Sequence, residues 1–160
     1  MELALAEGRN AYQEGEVPIG AVVVLGGQVI ARAHNRCEAL HDPTAHAEIL
    51  ALQGAARKAG SYRLLGAEVF VTVEPCVMCA GALHLARVAT VTFGCADPKG
   101  GAFGSVYQIH LDGRLNHRLH VWGGVREEEC RGLMQSFFRG LRVQSDPWSG
   151  QNGERWPSSA

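Results

Sequence analysis

Apolar and polar positions along the chain alternate between helical and strand periods. Residues 1–14 read as an opening helix, with Leu3, Leu5 and Ala6 among the core candidates and Gly15 as its stop. Ala21–Leu25, the Gly26-Gly27 pair and Gln28-Val29-Ile30-Ala31 read as a β-hairpin, because two glycines supply the positive φ angles of a tight turn. Asp42-Pro43-Thr44 predicts the start of a second helix running to about Lys58, with Asp as N-cap and Pro in the first turn. Glu68–Val73 predicts a buried strand, and Pro75 opens a third helix to about Ala86. Val88–Phe93 predicts another strand, followed by a Gly-rich loop over Asp97–Ser105. His120–Trp122 reads as a short strand and Arg126–Arg142 as a last helix. A hairpin followed by alternating helices and strands predicts an α/β fold: a three-layer α/β/α sandwich around a central, mixed, five-stranded sheet. Residues 1–143 form one expected domain. From Ser145 on, Ser, Gly, Pro, Asn and Gln dominate, so 144–160 is expected to be a disordered tail.

Composition narrows the class. The 160 residues suffice for one domain with a sizeable core, and 46% hydrophobic against 19% charged is ordinary for a globular chain. No apolar run reaches the length of a membrane span, and the acidic start lacks the basic opening of a signal peptide, so a cytoplasmic protein is expected. The net charge of −1 does not advertise nucleic-acid binding, so any RNA contact must use a local basic patch. Five cysteines in a chain of this kind argue against a disulfide framework. Cys37, Cys95 and Cys130 are read as small buried apolar residues.

The chemistry concentrates in His46-Ala47-Glu48 and Pro75-Cys76-Val77-Met78-Cys79. His46, Cys76 and Cys79 are soft, zinc-type ligands, and both segments fall at predicted helix starts. Cys76 and Cys79, three residues apart, share a helix face, and the positive end of a helix favours thiolates. Three ligands leave a fourth position for water, whose pKa on zinc falls to roughly 7. Glu48 is then placed to take and return a proton. A thioredoxin-type redox pair, or a non-catalytic metal site with an incidental glutamate, uses the same residues; a zinc ribbon would need a second Cys-x-x-Cys, which is lacking.

His-x-Glu followed by Pro-Cys-x-x-Cys resembles the zinc-dependent nucleobase deaminases. Val17–Val24, His34-Asn35-Arg36, His41–Ile49, Tyr62-Arg63-Leu64, Val73–Ala82 and Asn116-His117-Arg118 extend the resemblance, up to about Arg142, to the tRNA-specific adenosine deaminases. It implies a cytidine deaminase-like fold, one zinc per chain held by His46, Cys76 and Cys79, and hydrolytic conversion of adenosine to inosine at the wobble position of tRNA. Metal-activated water attacks C6, with Glu48 moving protons to the ring nitrogen and the departing amine. It further implies a base contact from Asn35 and from the Ala47 backbone, and RNA contacts from Asp97, Lys99, Asn116 and Phe138. Adjacent Phe137 and Phe138 cannot both face the core of a regular helix, which frees one for RNA. The implied partners are a tRNA anticodon stem-loop and a second copy of the chain, with no membrane and no DNA. The sequence departs from the family in its short opening helix, in Cys95-Ala96 ahead of Asp97 where a basic residue is common, and in a basic C-terminal end reduced to Arg139 and Arg142. A free-base deaminase for guanine or cytosine has the same chemistry with different lids. A non-catalytic zinc-containing RNA-binding subunit is expected to lack the Glu of His-x-Glu, which is present here. Glu74, beside the metal cysteines, is expected to be structural.

Overall fold

The computed structural model describes residues 1–144, with side chains through residue 142. The expected tail lies outside the described residues except for Gln144, which ends the last helix. Helix α1 (Glu2–Gln13) leads into β1 (Gly20–Leu25) and β2 (Gln28–His34). A single turn, α2 (Cys37–Leu40), precedes α3 (Ala47–Ala59). Then come β3 (Glu68–Val73), α4 (Val77–Leu85), β4 (Thr90–Cys95), β5 (His120–Trp122) and α5 (Glu127–Gln144).

The sheet order is β2-β1-β3-β4-β5; β1 runs antiparallel to β2 and β3, while β3, β4 and β5 are parallel. Alternation along the strands separates two faces. Ala21, Val23, Val69, Val71 and Val91 pack with Ala51, Ala55, Ala80 and Leu83 of α3 and α4. On the other face, Leu5, Val73, Cys95 and Cys130 join Leu133 and Met134, closing α1 and α5 over the sheet. The three layers and the mixed five-stranded sheet match the expected architecture. Burying a side chain such as Leu83 contributes about 1.5–3 kcal/mol, and these layers hold the loops at the strand ends.

Several boundaries move for local reasons. Gly26 and Gly27 take φ of 59° and 75°, the left-handed pair that the hairpin turn requires. The helix expected from Asp42 begins at Ala47. Asp42 Oδ1 instead accepts from the Thr44 N–H and Oγ1, each at 2.7 Å, and this Asx turn uses up the capping oxygen. His46 becomes the N-cap of α3, with extended backbone. Likewise Pro75 stands outside α4, Cys76 is its N-cap, and the Pro75 carbonyl accepts from Ala102. The strand expected at Val88–Phe93 lies two residues later. The turn α2 was not foreseen; four residues carry no periodicity, and its Ala39 N–H is capped by distant Glu16 at 2.8 Å.

Candidate metal centre and cleft

His46 and Cys76 cap two neighbouring helices, and neither side chain makes a capping bond, so both are free to face each other. His46 Nδ1 lies 3.7 Å from Cys76 Sγ and 3.5 Å from Cys79 Sγ. The ligand atoms of His46, Cys76 and Cys79 all lie within 4.8 Å of one another, so the three could hold a metal ion. The thiol of Cys79 hydrogen-bonds Cys76 and, with His46, brings the Cys76 pKa down to about 4. That thiolate in turn pushes Cys79 up. His46 is held up chiefly by its bond to Cys76, against the effect of burial.

Glu48 sits in the first turn of α3 and is 3% exposed. Burial pushes its carboxyl up, and its Oε2 finds no hydrogen-bond partner among the described residues. Leaving such an atom unsatisfied costs about 1–3 kcal/mol, so its position carries information: it is held in reserve beside Cys79. Ala47, fully buried, places its backbone between His46 and Glu48.

Glu74 is buried and organises the Gly-rich loop. Its oxygens accept from the backbone N–H groups of Asp97 at 3.1 Å, Phe103 at 2.9 Å and Ser105 at 3.0 Å, and from the Ser105 hydroxyl. Burial alone would raise its pKa, but these bonds outweigh it and hold the carboxylate below its usual range. A Cβ on Gly101 would stand 2.4 Å from that carboxylate, so the loop closes only with glycine there. Cys76 pairs with Gly101 across an isolated bridge, joining the start of α4 to the same loop. The structural role expected of Glu74 is thus a specific one.

A cleft of about 760 Å³ opens between this loop and α5, lined by Val17, Ile19, Asp97, Lys99, Arg131, Phe138 and Arg142 among others. Asp97, Lys99 and Phe138 therefore come together. Phe137 is buried against Tyr12, while Phe138 is 40% exposed, as the helical geometry required. Arg131, ion-paired with Glu127, and Arg142 line the cleft from α5, across from the loop whose residue before Asp97 is not basic. Asn116 is not brought to this cleft. It sits at the far end of α4, where its side chain meets His84 Nε2 at 3.1 Å and its carbonyl accepts from Arg87 at 2.8 Å.

Asn35 follows β2 and is 4% exposed. Its Nδ2 donates to Glu16 Oε2 at 3.0 Å, and Cys37 Sγ donates to its Oδ1 at 3.4 Å. Cys37 is thus half-buried and hydrogen-bonded, in contrast to the buried Cys95 and Cys130. Glu16 escaped the sequence reading. A single glutamate ahead of Val17-Pro18 reads as loop surface, and its partners lie 19 and 23 residues away.

Comparison with known proteins gives this geometry its lineage. Residues 1–142 match the MafB19-like deaminase family model. The chain is 49% identical over 142 residues to the tRNA-specific adenosine deaminase of Bacillus subtilis strain 168, covering 89% of this chain and 88% of the relative. It is 46% identical over 143 residues to the tRNA-specific adenosine deaminase of Agrobacterium fabrum, covering 89% and 94%. A solved tRNA:A34 deaminase, studied for A-to-I editing at the wobble position of transfer RNA, superposes with a TM-score of 0.81 at 47% identity over 83% of this chain and 96% of that one. A guanine deaminase from Nitrosomonas europaea, at 23% identity and a TM-score of 0.71 over 85% and 81%, shares the fold. The chain belongs to the tRNA-specific adenosine deaminase family.

Proposed function

We propose that this chain is a zinc-dependent hydrolase that converts adenosine to inosine at the wobble position of tRNA anticodons, with residues 1–143 as its deaminase unit. The observation that carries the reading is the convergence of His46, Cys76 and Cys79 beside the unsatisfied oxygen of Glu48. A tetrahedral zinc with one nitrogen and two sulfur ligands has an N···S edge of about 3.6 Å, and the His46–sulfur separations of 3.5 and 3.7 Å fit it. When bound, zinc supplies the Lewis acidity that makes water a nucleophile at neutral pH.

The chain's own residues do the rest. Glu48 takes the proton that water loses and delivers it to the ring nitrogen of adenine. It then serves the departing amine, so adenosine and water give inosine and ammonia. Burial favours its protonated form between these transfers. Ala47 offers a backbone N–H to the base and Asn35 its amide edge. Along the cleft, Asp97 meets a ribose, Lys99 meets phosphate and Phe138 stacks on a base. The wobble base already lies in a loop, so extruding it costs little. Asn116 belongs to a second contact region at the end of α4.

A homodimer in the cytoplasm completes the proposal. An apolar groove between α3 and α4, lined by Ile49, Leu52, Ala56, Tyr62 and Leu85, offers a second copy a seat; Tyr62 and Leu85 are largely exposed. Among the described residues no helix is long and apolar enough to cross a membrane.

The test is incubation with an anticodon stem-loop bearing a wobble adenosine, scored as inosine, beside free adenine, guanine and cytosine. Inosine in the stem-loop is the expected result. Turnover of a free base with an inert stem-loop would overturn the substrate assignment.

A further inference from the structure

Glu16 lies outside the metal centre and is 1% exposed. Its two oxygens have separate duties: Oε1 accepts the Ala39 N–H of α2 at 2.8 Å, and Oε2 accepts from Asn35 Nδ2 at 3.0 Å. An ionised carboxylate accepts and never donates. It therefore draws the NH₂ end of the Asn35 amide toward itself and turns the oxygen away. Cys37 meets that oxygen from the other side at 3.4 Å. Burial and then the charge of Glu16 push the Cys37 thiol up, so the sulfur keeps its proton and donates.

These bonds consume one N–H and one oxygen lone pair. Asn35 retains one donor and one acceptor in a fixed order. Such a pair complements the N7 acceptor and N6 amino donor of adenine, whereas guanine presents two acceptors along the same edge. Backbone bonds tie this segment to the cleft and to the metal centre. Its N–H donates to the Ile19 carbonyl, and Ile19 lines the cleft. The next residue, Arg36, donates to the Ala45 carbonyl, immediately before His46.

We infer that Glu16 is a positioning residue: it sets the orientation of the Asn35 amide, and so the order in which donor and acceptor meet the adenine edge. The inference rests on the reading above that Asn35 contacts the base. Glu16→Gln is nearly isosteric and tests it. The Ala39 N–H claims the glutamine oxygen, so the glutamine NH₂ faces Asn35 and favours the flipped amide.

The measurement is kcat/KM on stem-loops carrying wobble adenosine or 7-deazaadenosine, which lacks the N7 acceptor. Wild type should prefer adenosine. E16Q should lose roughly ten- to a hundredfold on adenosine, the worth of one good two-bond base contact. Its preference for adenosine over the deaza analogue should collapse toward unity, with zinc content and melting temperature retained. The ratio removes any difference in intrinsic reactivity, as in a double-mutant cycle. Equal losses on both substrates, with the preference intact, would show a merely structural glutamate and overturn the inference, as would wild-type behaviour. Inactivity of the wild type on stem-loops would instead strike the tRNA reading. If E16Q does not fold, NMR of the wild type tests the amide orientation on which the inference depends. The Asn35 NH₂ should exchange slowly and show coupling across the hydrogen bond to the Glu16 carboxyl carbon; a rapidly exchanging Asn35 NH₂ overturns the inference.

Discussion

Glu48 keeps a buried carboxyl oxygen without a hydrogen-bond partner among the described residues, and the proposed function gives that atom the reacting molecule as its partner. Positioned proton transfer contributes roughly 10²–10⁴-fold to rate. Glu48→Ala should therefore lose at least about a hundredfold in turnover while binding zinc as wild type does; unchanged turnover would remove Glu48 from the chemistry. Cys76→Ala should lose the metal, read by elemental analysis of the purified protein, and full zinc occupancy would refute the ligand assignment. The grouping of His46, Cys76 and Cys79, with Glu48 two residues beyond His46, was legible in the sequence because it is carried by short spacings at helix starts. The Glu16–Asn35 bond was not, because it joins positions that only the folded β1–β2 hairpin and α2 bring together. One half of the pair could be named from resemblance; the other had no local signal.

Among the elements, the Asp97–Ser105 loop depends on a close approach at one glycine. Gly101 leaves no room for a Cβ beside the Glu74 carboxylate. Gly101→Ala should destabilise the fold by about 1–3 kcal/mol, as overpacking does, and raise KM for the stem-loop while leaving zinc content unchanged. A melting curve and a zinc assay made on one preparation check this, and unaltered stem-loop kinetics would argue that the loop plays no part in RNA binding. β1 and β3 match their expected bounds to within a residue because their patterns are strong, while β2 runs three residues past Ala31, to His34, where Arg32 and His34 break the apolar run. The start of α3 was misplaced because Asp42 satisfies two competing local motifs, a helix cap and an Asx turn. Chain chemistry permits both; the Asx turn forms, and the later start leaves His46 as N-cap facing Cys76.

At the scale of the whole molecule, net charge and surface decide how partners are met. With a formal charge of −1, the chain has no broad electrostatic attraction for RNA. The cleft is lined by the basic residues Lys99, Arg142 and Arg131, the last ion-paired with Glu127. If all three neutralise phosphates of a single-stranded loop, log affinity should fall with log salt at a slope of about −2; a much steeper slope would mean a wider footprint than the cleft. The proposed homodimer would use the α3–α4 groove. Leu85 is 69% exposed on the α3–α4 groove. Leu85→Glu should leave the fold intact and convert a dimer into a monomer in sedimentation, whereas a wild type that is already monomeric would refute the homodimer. The three layers were legible because alternation and loop lengths leave few topologies. The cleft was not, since it arises where two segments some forty residues apart, the Asp97 loop and α5, meet Val17 and Ile19 ahead of β1.

Glu74 grips its loop mainly by main-chain N–H groups, and this has an evolutionary reading. A carboxylate that recognises backbone is indifferent to most side chains carried there. Exposed positions such as Pro98, Lys99 and Val106 can then be exchanged without disturbing Cys76 on the neighbouring helix. The fold thereby keeps one reaction fixed while its choice of substrate remains open to change, and swapping the loop between relatives becomes a rational route to altered specificity.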